Sequence, residues 1–124
     1  MPFYQFTIPS GSPSAGLKAE IARAVTDVHA SLTGAPASYV NVAFTEVAPG
    51  SIFVAGEEVH HGRMVGWIRP GRTTEVKRAL LNGIANAWSE TTGEPAEGFA
   101  LFLQEIPGSQ MLEEGRMLPD PSED

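Results

Sequence analysis

Pro2 has the most chemical reach of any residue in this chain. So small a neighbour predicts removal of the initiator Met1, which leaves a free secondary amine at the head of Phe3-Tyr4-Gln5-Phe6-Thr7, a predicted β-strand. An α-amino group titrates near pH 8, closer to neutrality than any lysine, so it can act as base, acid or nucleophile. A strand that begins at the terminus also holds the amine still, where most termini fray. Arg69-Pro70-Gly71-Arg72 is the second reactive feature, with one guanidinium at a predicted strand end and one at a predicted helix start. Arginine forks bind carboxylates through paired hydrogen bonds, and helix N-terminal amides add partial positive charge. Arginines near turns are also ordinary solvated groups.

Three weaker features stand beside these. His29 lies at the edge of a predicted helical stripe, about 80° from its centre at 100° per residue, as a half-buried packing residue or as a donor to a substrate oxygen. His60-His61 follows Glu57-Glu58, but adjacent residues of an extended segment point to opposite sides, so metal binding is not expected. The run from Gln110 to Pro119 contains the acids Glu113 and Glu114, which read most simply as a surface turn of helix. Trp67 and Trp88 read as core or interface residues.

The elements that must carry these groups follow from patterning. Ser12-Pro13 reads as a helix start, Leu17, Ile21, Val25, Val28 and Leu32 follow at helical spacing, and Gly34 with Pro36 ends the element. Tyr39 to Val47 is a strand, and Ser51 to Ala55 a short one. Met64 to Ile68 then opens a second round, with a helix from Arg72-Thr73-Thr74 (Val76, Leu80, Ile84 and Ala87 on one face) to Thr92-Gly93, and a strand from Phe99 to Ile106. The offset of about 60 residues predicts two copies of one strand–helix–strand unit. The fold class is therefore α+β: tandem β-α-β units, right-handed, forming a four-stranded mixed sheet with two helices on one face. One domain is expected over residues 1–117, with pseudo-repeats at about 1–60 and 61–117 and an acidic tail at 118–124. No third helix is available for the bare sheet face, so association into a closed homo-oligomer is expected.

Composition narrows the function. The 124 residues are 42% hydrophobic and 19% charged, as in ordinary globular proteins, and the formal charge of −7 argues against nucleic acid or anionic membrane as partner. The absence of cysteine excludes thiol chemistry. No apolar run approaches the roughly 18 residues of a membrane span and no signal-peptide pattern precedes the first strand, so a cytoplasmic location is the default expectation.

Taken together these residues resemble the tautomerase superfamily, whose members use an amino-terminal proline on duplicated β-α-β units, and within it the cis-3-chloroacrylic acid dehalogenase group. The likeness covers nearly the whole chain: Met1-Pro2, Thr26-Asp27-Val28-His29, Leu32-Thr33-Gly34, Arg69 and Arg72, Glu105-Ile106-Pro107, and Gln110-Met111-Leu112-Glu113 through Gly115-Arg116 to Leu118-Pro119. The resemblance implies a tautomerase (MIF-like) fold, a homotrimer and cofactor-independent chemistry on a small carboxylate. It implies Pro2 as the catalytic amine, Arg69 and Arg72 as the carboxylate clamp, His29 as a second anchor, and Glu113 as the carboxylate that activates water in the dehalogenase. Where the dehalogenase has a tyrosine working with that glutamate, this chain has Phe102. That removes a hydroxyl from any hydration step and makes the substrate pocket more apolar.

The charge on the amine decides the reaction. A neutral amine removes a proton from carbon and gives tautomerase chemistry. A cation protonates carbon while water attacks, which gives hydration or dehalogenation. One guanidinium about 6 Å away, at an effective dielectric near 20, disfavours the cation by roughly 3 kcal/mol, about two pKa units. An ionised Glu113 equally close opposes it. Loss of the tyrosine hydroxyl favours proton transfer, so the expected activity is keto–enol tautomerisation of 2-oxo acids with phenylpyruvate-like enols. The alternatives are a cis-3-haloacrylate dehalogenase or hydratase using the same residues, and a non-catalytic carboxylate-binding oligomer.

Overall fold

The computed structural model describes residues 1–118; the expected tail beyond Leu118 lies outside the described residues. The strands β1 (Phe3–Pro9), β2 (Asn41–Val47), β5 (Arg63–Ile68) and β6 (Ala100–Glu105) form one sheet in the order β2-β1-β5-β6. β1 is parallel to β2 and β5 to β6, and the two pairs meet antiparallel at β1 and β5. Helices α1 (Lys18–Thr33) and α2 (Thr74–Thr92) cross within each pair and pack on each other. The predicted α+β fold with a four-stranded mixed sheet is thus observed.

Alternation along β1 explains the layering. Tyr4, Phe6 and Ile8 are buried toward the helices, with Met64 and Ile68 of β5 beside them. Ile21 and Val25 of α1 and Ile84 and Trp88 of α2 complete the core, where the Trp88 ring stacks on Phe99 at 4.1 Å. Phe3, Val65, Trp67 and Phe102 take the alternate positions, and their face of the sheet carries no helix.

The repeat reaches finer detail than its strands and helices. Each helix ends on a left-handed glycine, Gly34 at φ 74° and Gly93 at φ 76°. The threonine before each glycine returns its hydroxyl to the carbonyl four residues back, Thr33 to His29 and Thr92 to Trp88. Each unit then closes with a small hairpin: β3 (Phe53–Val54) with β4 (Glu57–Glu58), and β7 (Leu112–Glu113) with β8 (Arg116–Met117). Both turns place two residues at positive φ, Ala55-Gly56 and Glu114-Gly115, as a two-residue hairpin loop demands.

Three expectations are corrected. Pro13 opens a separate 3₁₀ turn (Pro13–Gly16) and not α1, because the Ser12 hydroxyl donates to the Pro9 carbonyl and caps no helix. The stretch around Glu113 is a hairpin and not a turn of helix. His29 is not at a half-buried edge: it continues the Ile21, Val25 stripe and is 4% exposed. Among the described residues no helix is long and apolar enough to cross a membrane.

Gly66 of β5 leaves room for the Tyr4 ring; a Cβ there would meet two Tyr4 ring carbons at 2.7 Å and the Leu103 side chain at 2.9 Å. Gly66→Ala is therefore expected to cost about 1–3 kcal/mol by overpacking. Urea unfolding checks this; a midpoint equal to that of the unaltered protein would refute it.

Candidate active site

The amino terminus is held by backbone pairing. The Asn41 amide, at the first residue of β2, donates to the Pro2 carbonyl at 3.0 Å, and Pro2 is buried. The Asn41 side chain donates to the same carbonyl (3.2 Å), to the Tyr39 carbonyl (3.2 Å) and to Glu113 Oε2 (3.3 Å). Asn41 thus fixes the distance between the chain start and the hairpin carboxylate. The Met1 ammonium completes the arrangement with an ion pair to Glu113 Oε1 at 2.5 Å.

On the helix side of this terminus lies a cavity of about 200 Å³, bordered by Met1, Pro2, His29, Arg69 and Arg72. α1 delivers His29 from its third buried position, and β5 delivers Arg69 from the residue after its last. Arg72 precedes Thr73, whose hydroxyl accepts the Val76 amide and caps α2. The Arg72 guanidinium donates to the Thr33 carbonyl at 3.3 Å, near the negative end of α1. Arg69 carries two buried donors, Nε and Nη2, with no protein partner among the described residues. A guanidinium edge of this kind can bind a carboxylate through paired hydrogen bonds.

His29 is a neutral donor here. Burial first, then the Arg72 guanidinium and the amino terminus, push its imidazole down to about 4. Its Nδ1 lies 2.7 Å from the Tyr4 hydroxyl, itself fully buried and raised above the usual phenol range by that burial. Where the phenol donates to Nδ1, the imidazole proton sits on Nε2 as a donor. Sequence reasoning missed Tyr4 and Asn41. Strand alternation could have found Tyr4, which shares the Pro2 side of β1; Asn41 needed the β1–β2 register.

Of the residues expected at the site, Pro2, His29, Arg69 and Arg72 share one cavity. Glu113 borders a second cavity of about 640 Å³ on the bare sheet face, and Met1 is the residue common to both. Phe102 joins neither. It lies on β6 opposite Val65, 56% exposed, with the strand order placing β5 between it and β1. In the single chain the alternation of β6 aims Phe102 at the bare face, away from both cavities.

The chain matches the family model described as "Putative oxalocrotonate tautomerase enzyme" over residues 1–121. A "Probable tautomerase" of Bacillus cereus is 40% identical over 50 residues, spanning 40% of this chain and 82% of the relative. That relative is therefore about half as long as this chain, the length of one β-α-β unit. N1, a member of the cis-3-chloroacrylic acid dehalogenase family, is 31% identical, with a TM-score of 0.87 over 98% of this chain and 86% of that one. Q0, a fused 4-OT solved as a symmetric trimer, is 25% identical, with a TM-score of 0.84 over 94% of each chain.

The lowered pKa of His29 makes a stability prediction. Between about pH 6.5 and 4 the unfolded chain takes up a proton on this imidazole that the folded chain refuses, so stability falls as pH falls through that window. The group's share is on the order of 3 kcal/mol. His29→Gln is expected to flatten that part of the pH dependence in urea titrations from pH 7 to 4. Parallel curves for the two proteins would show that His29 is not held neutral.

Proposed function

Because the chain belongs to the tautomerase family whose model spans residues 1–121, we propose that it is a cofactor-independent keto–enol tautomerase of 2-oxo acids, with phenylpyruvate-like enols as substrates. The observation that carries this reading is the convergence of Pro2, His29, Arg69 and Arg72 on one cavity at the start of β1. With Met1 removed, the Pro2 nitrogen becomes a secondary amine at the mouth of that cavity. Arg69 and Arg72 hold the substrate carboxylate, Arg69 through its unpartnered edge. The neutral amine accepts the enol O–H proton, and the electrons of that bond become the carbonyl π bond. The former C=C pair then takes the proton from the prolinium to form the C-3–H bond. The His29 Nε2–H and an arginine stabilise the oxygen while it is negative, a role that needs a neutral imidazole. Glu113 orients the amine from the other side.

One observation favours a second reading. The ion pair between Glu113 and the Met1 ammonium shows a carboxylate within reach of a terminal cation. A protonated Pro2 would donate to carbon while water adds to a cis-3-substituted acrylate, releasing halide where one is present. Phe102 supplies no hydroxyl to help that water, which supports tautomerisation as the first reading.

Assembly belongs to the same proposal. The bare sheet face carries the exposed Phe102 beside Val65 and Trp67, the fused 4-OT relative is a symmetric trimer, and a homotrimer would cover this face.

Intact mass is expected to show loss of Met1. Pro2→Ala and Arg72→Ala are each expected to lower kcat/KM for phenylenolpyruvate ketonisation by about 10²–10⁴-fold. Turnover like that of the unaltered protein in either variant would remove the mechanism. A pH–rate profile separates the two readings: activity rising with pH through neutrality marks the neutral amine, and activity falling marks the cation.

A further inference from the structure

A neutral imidazole carries its proton on either of two nitrogens, and a donor to substrate needs it on the one that faces the cavity. The torsion that turns the ring is broad and roughly two-fold, so the helix alone does not choose its orientation. The Tyr4 hydroxyl lies 2.7 Å from His29 Nδ1, with the two rings edge to face at 5.7 Å. The phenol is fully buried, and among the described residues its hydroxyl has no other hydrogen-bond partner. A proton on Nδ1 would leave the hydroxyl proton buried without an acceptor, whereas a proton on Nε2 satisfies both groups. Burial raises the phenol above its usual range and lowers the imidazole to about 4, so neither group is charged at neutral pH.

The sheet makes room for this bond. Tyr4 pairs with Gly66 across the β1–β5 register, and a Cβ at Gly66 would meet Tyr4 ring atoms at 2.7 Å. The duplication adds an internal comparison. Thr33 and Thr92 bond the carbonyls of His29 and Trp88 in the same way, which puts these two residues at equivalent places. Counted from Pro2 and Gly62, Tyr4 and Met64 are equivalent as well. Met64 and Trp88 are both buried, so an apolar pair fills that place in the second unit. The fold does not need a phenol and an imidazole there, and it has them at the end where Pro2, Arg69 and Arg72 converge.

We propose that Tyr4 is a positioning residue: it holds the His29 ring in one orientation with its proton on Nε2, ready to donate to the oxygen of a 2-oxo acid. Tyr4 acts through His29 and touches no substrate. This role rests on the tautomerase reading and adds to it the residue that sets the neutral donor.

Nitrogen-15 spectra of the histidine side chains test the tautomer. In the unaltered protein His29 is expected to show a protonated Nε2 and an accepting Nδ1, and in Tyr4→Phe a mixture of both tautomers. A protonated Nδ1 in the unaltered protein overturns the proposal, and that result needs no variant. Kinetics test the role. Tyr4→Phe is expected to lower kcat for phenylenolpyruvate roughly tenfold with KM little changed, and to cause no further loss in a His29→Gln background. An equal loss in both backgrounds marks a packing role and overturns the proposal, as does a kcat like that of the unaltered enzyme. If the unaltered protein turns over no enol, the tautomerase reading fails, and the spectra alone then judge what Tyr4 does to His29.

Discussion

The proposed chemistry depends on a backbone hydrogen bond: the Asn41 amide holds the carbonyl of Pro2. Without it the first two residues would fray, and a loose amine has no defined distance to anything. With it, β1 is paired from its first residue on both sides, to β2 and to β5, and the terminus is delivered to one end of the sheet. The same asparagine reaches Glu113 with its side chain, so one residue sets both the position of the terminus and the reach of the nearest carboxylate.

Around that terminus the charges oppose each other. Two arginines border the cavity on the helix side, and Glu113 borders the one on the bare side. His29 adds no charge. Its burial among core residues and its closeness to Arg72 keep it neutral, and its Nδ1 is engaged by the Tyr4 hydroxyl. Cations and a neutral imidazole thus border one cavity, a set that suits the 2-oxo acid proposed as substrate.

The duplicated architecture provides two ends of similar shape, and only one is equipped. By position in the repeat, Gly62 stands where Pro2 stands, Trp88 where His29 stands and Val54 where Glu113 stands. At the second end Trp88 stacks on both Phe6 and Phe99 and closes the core. The cost of burying a polar imidazole at the first end is accepted only because Tyr4 supplies its hydrogen bond.

Much of this was legible in the chain itself. Periods of two and 3.6 located the strands and helices, the offset of about 60 revealed the duplication, and the residue types at Pro2, Arg69 and Arg72 named a carboxylate chemistry. These are local properties, set by side-chain alternation, caps and turns within a few residues. The sequence also determined that chemistry of this kind would depend on an amine and guanidinium groups, with no thiol to share it. Tertiary structure decided which side chains meet: that His29 is core and not edge, that Tyr4 and Asn41 belong to the site, that Phe102 does not line its own chain's cavity, and that Phe3 and Trp67 stack. Each of these turns on strand register or on the phase of a helix against the sheet. A shift of one residue in either reverses the face a side chain occupies, and no local pattern carries that choice.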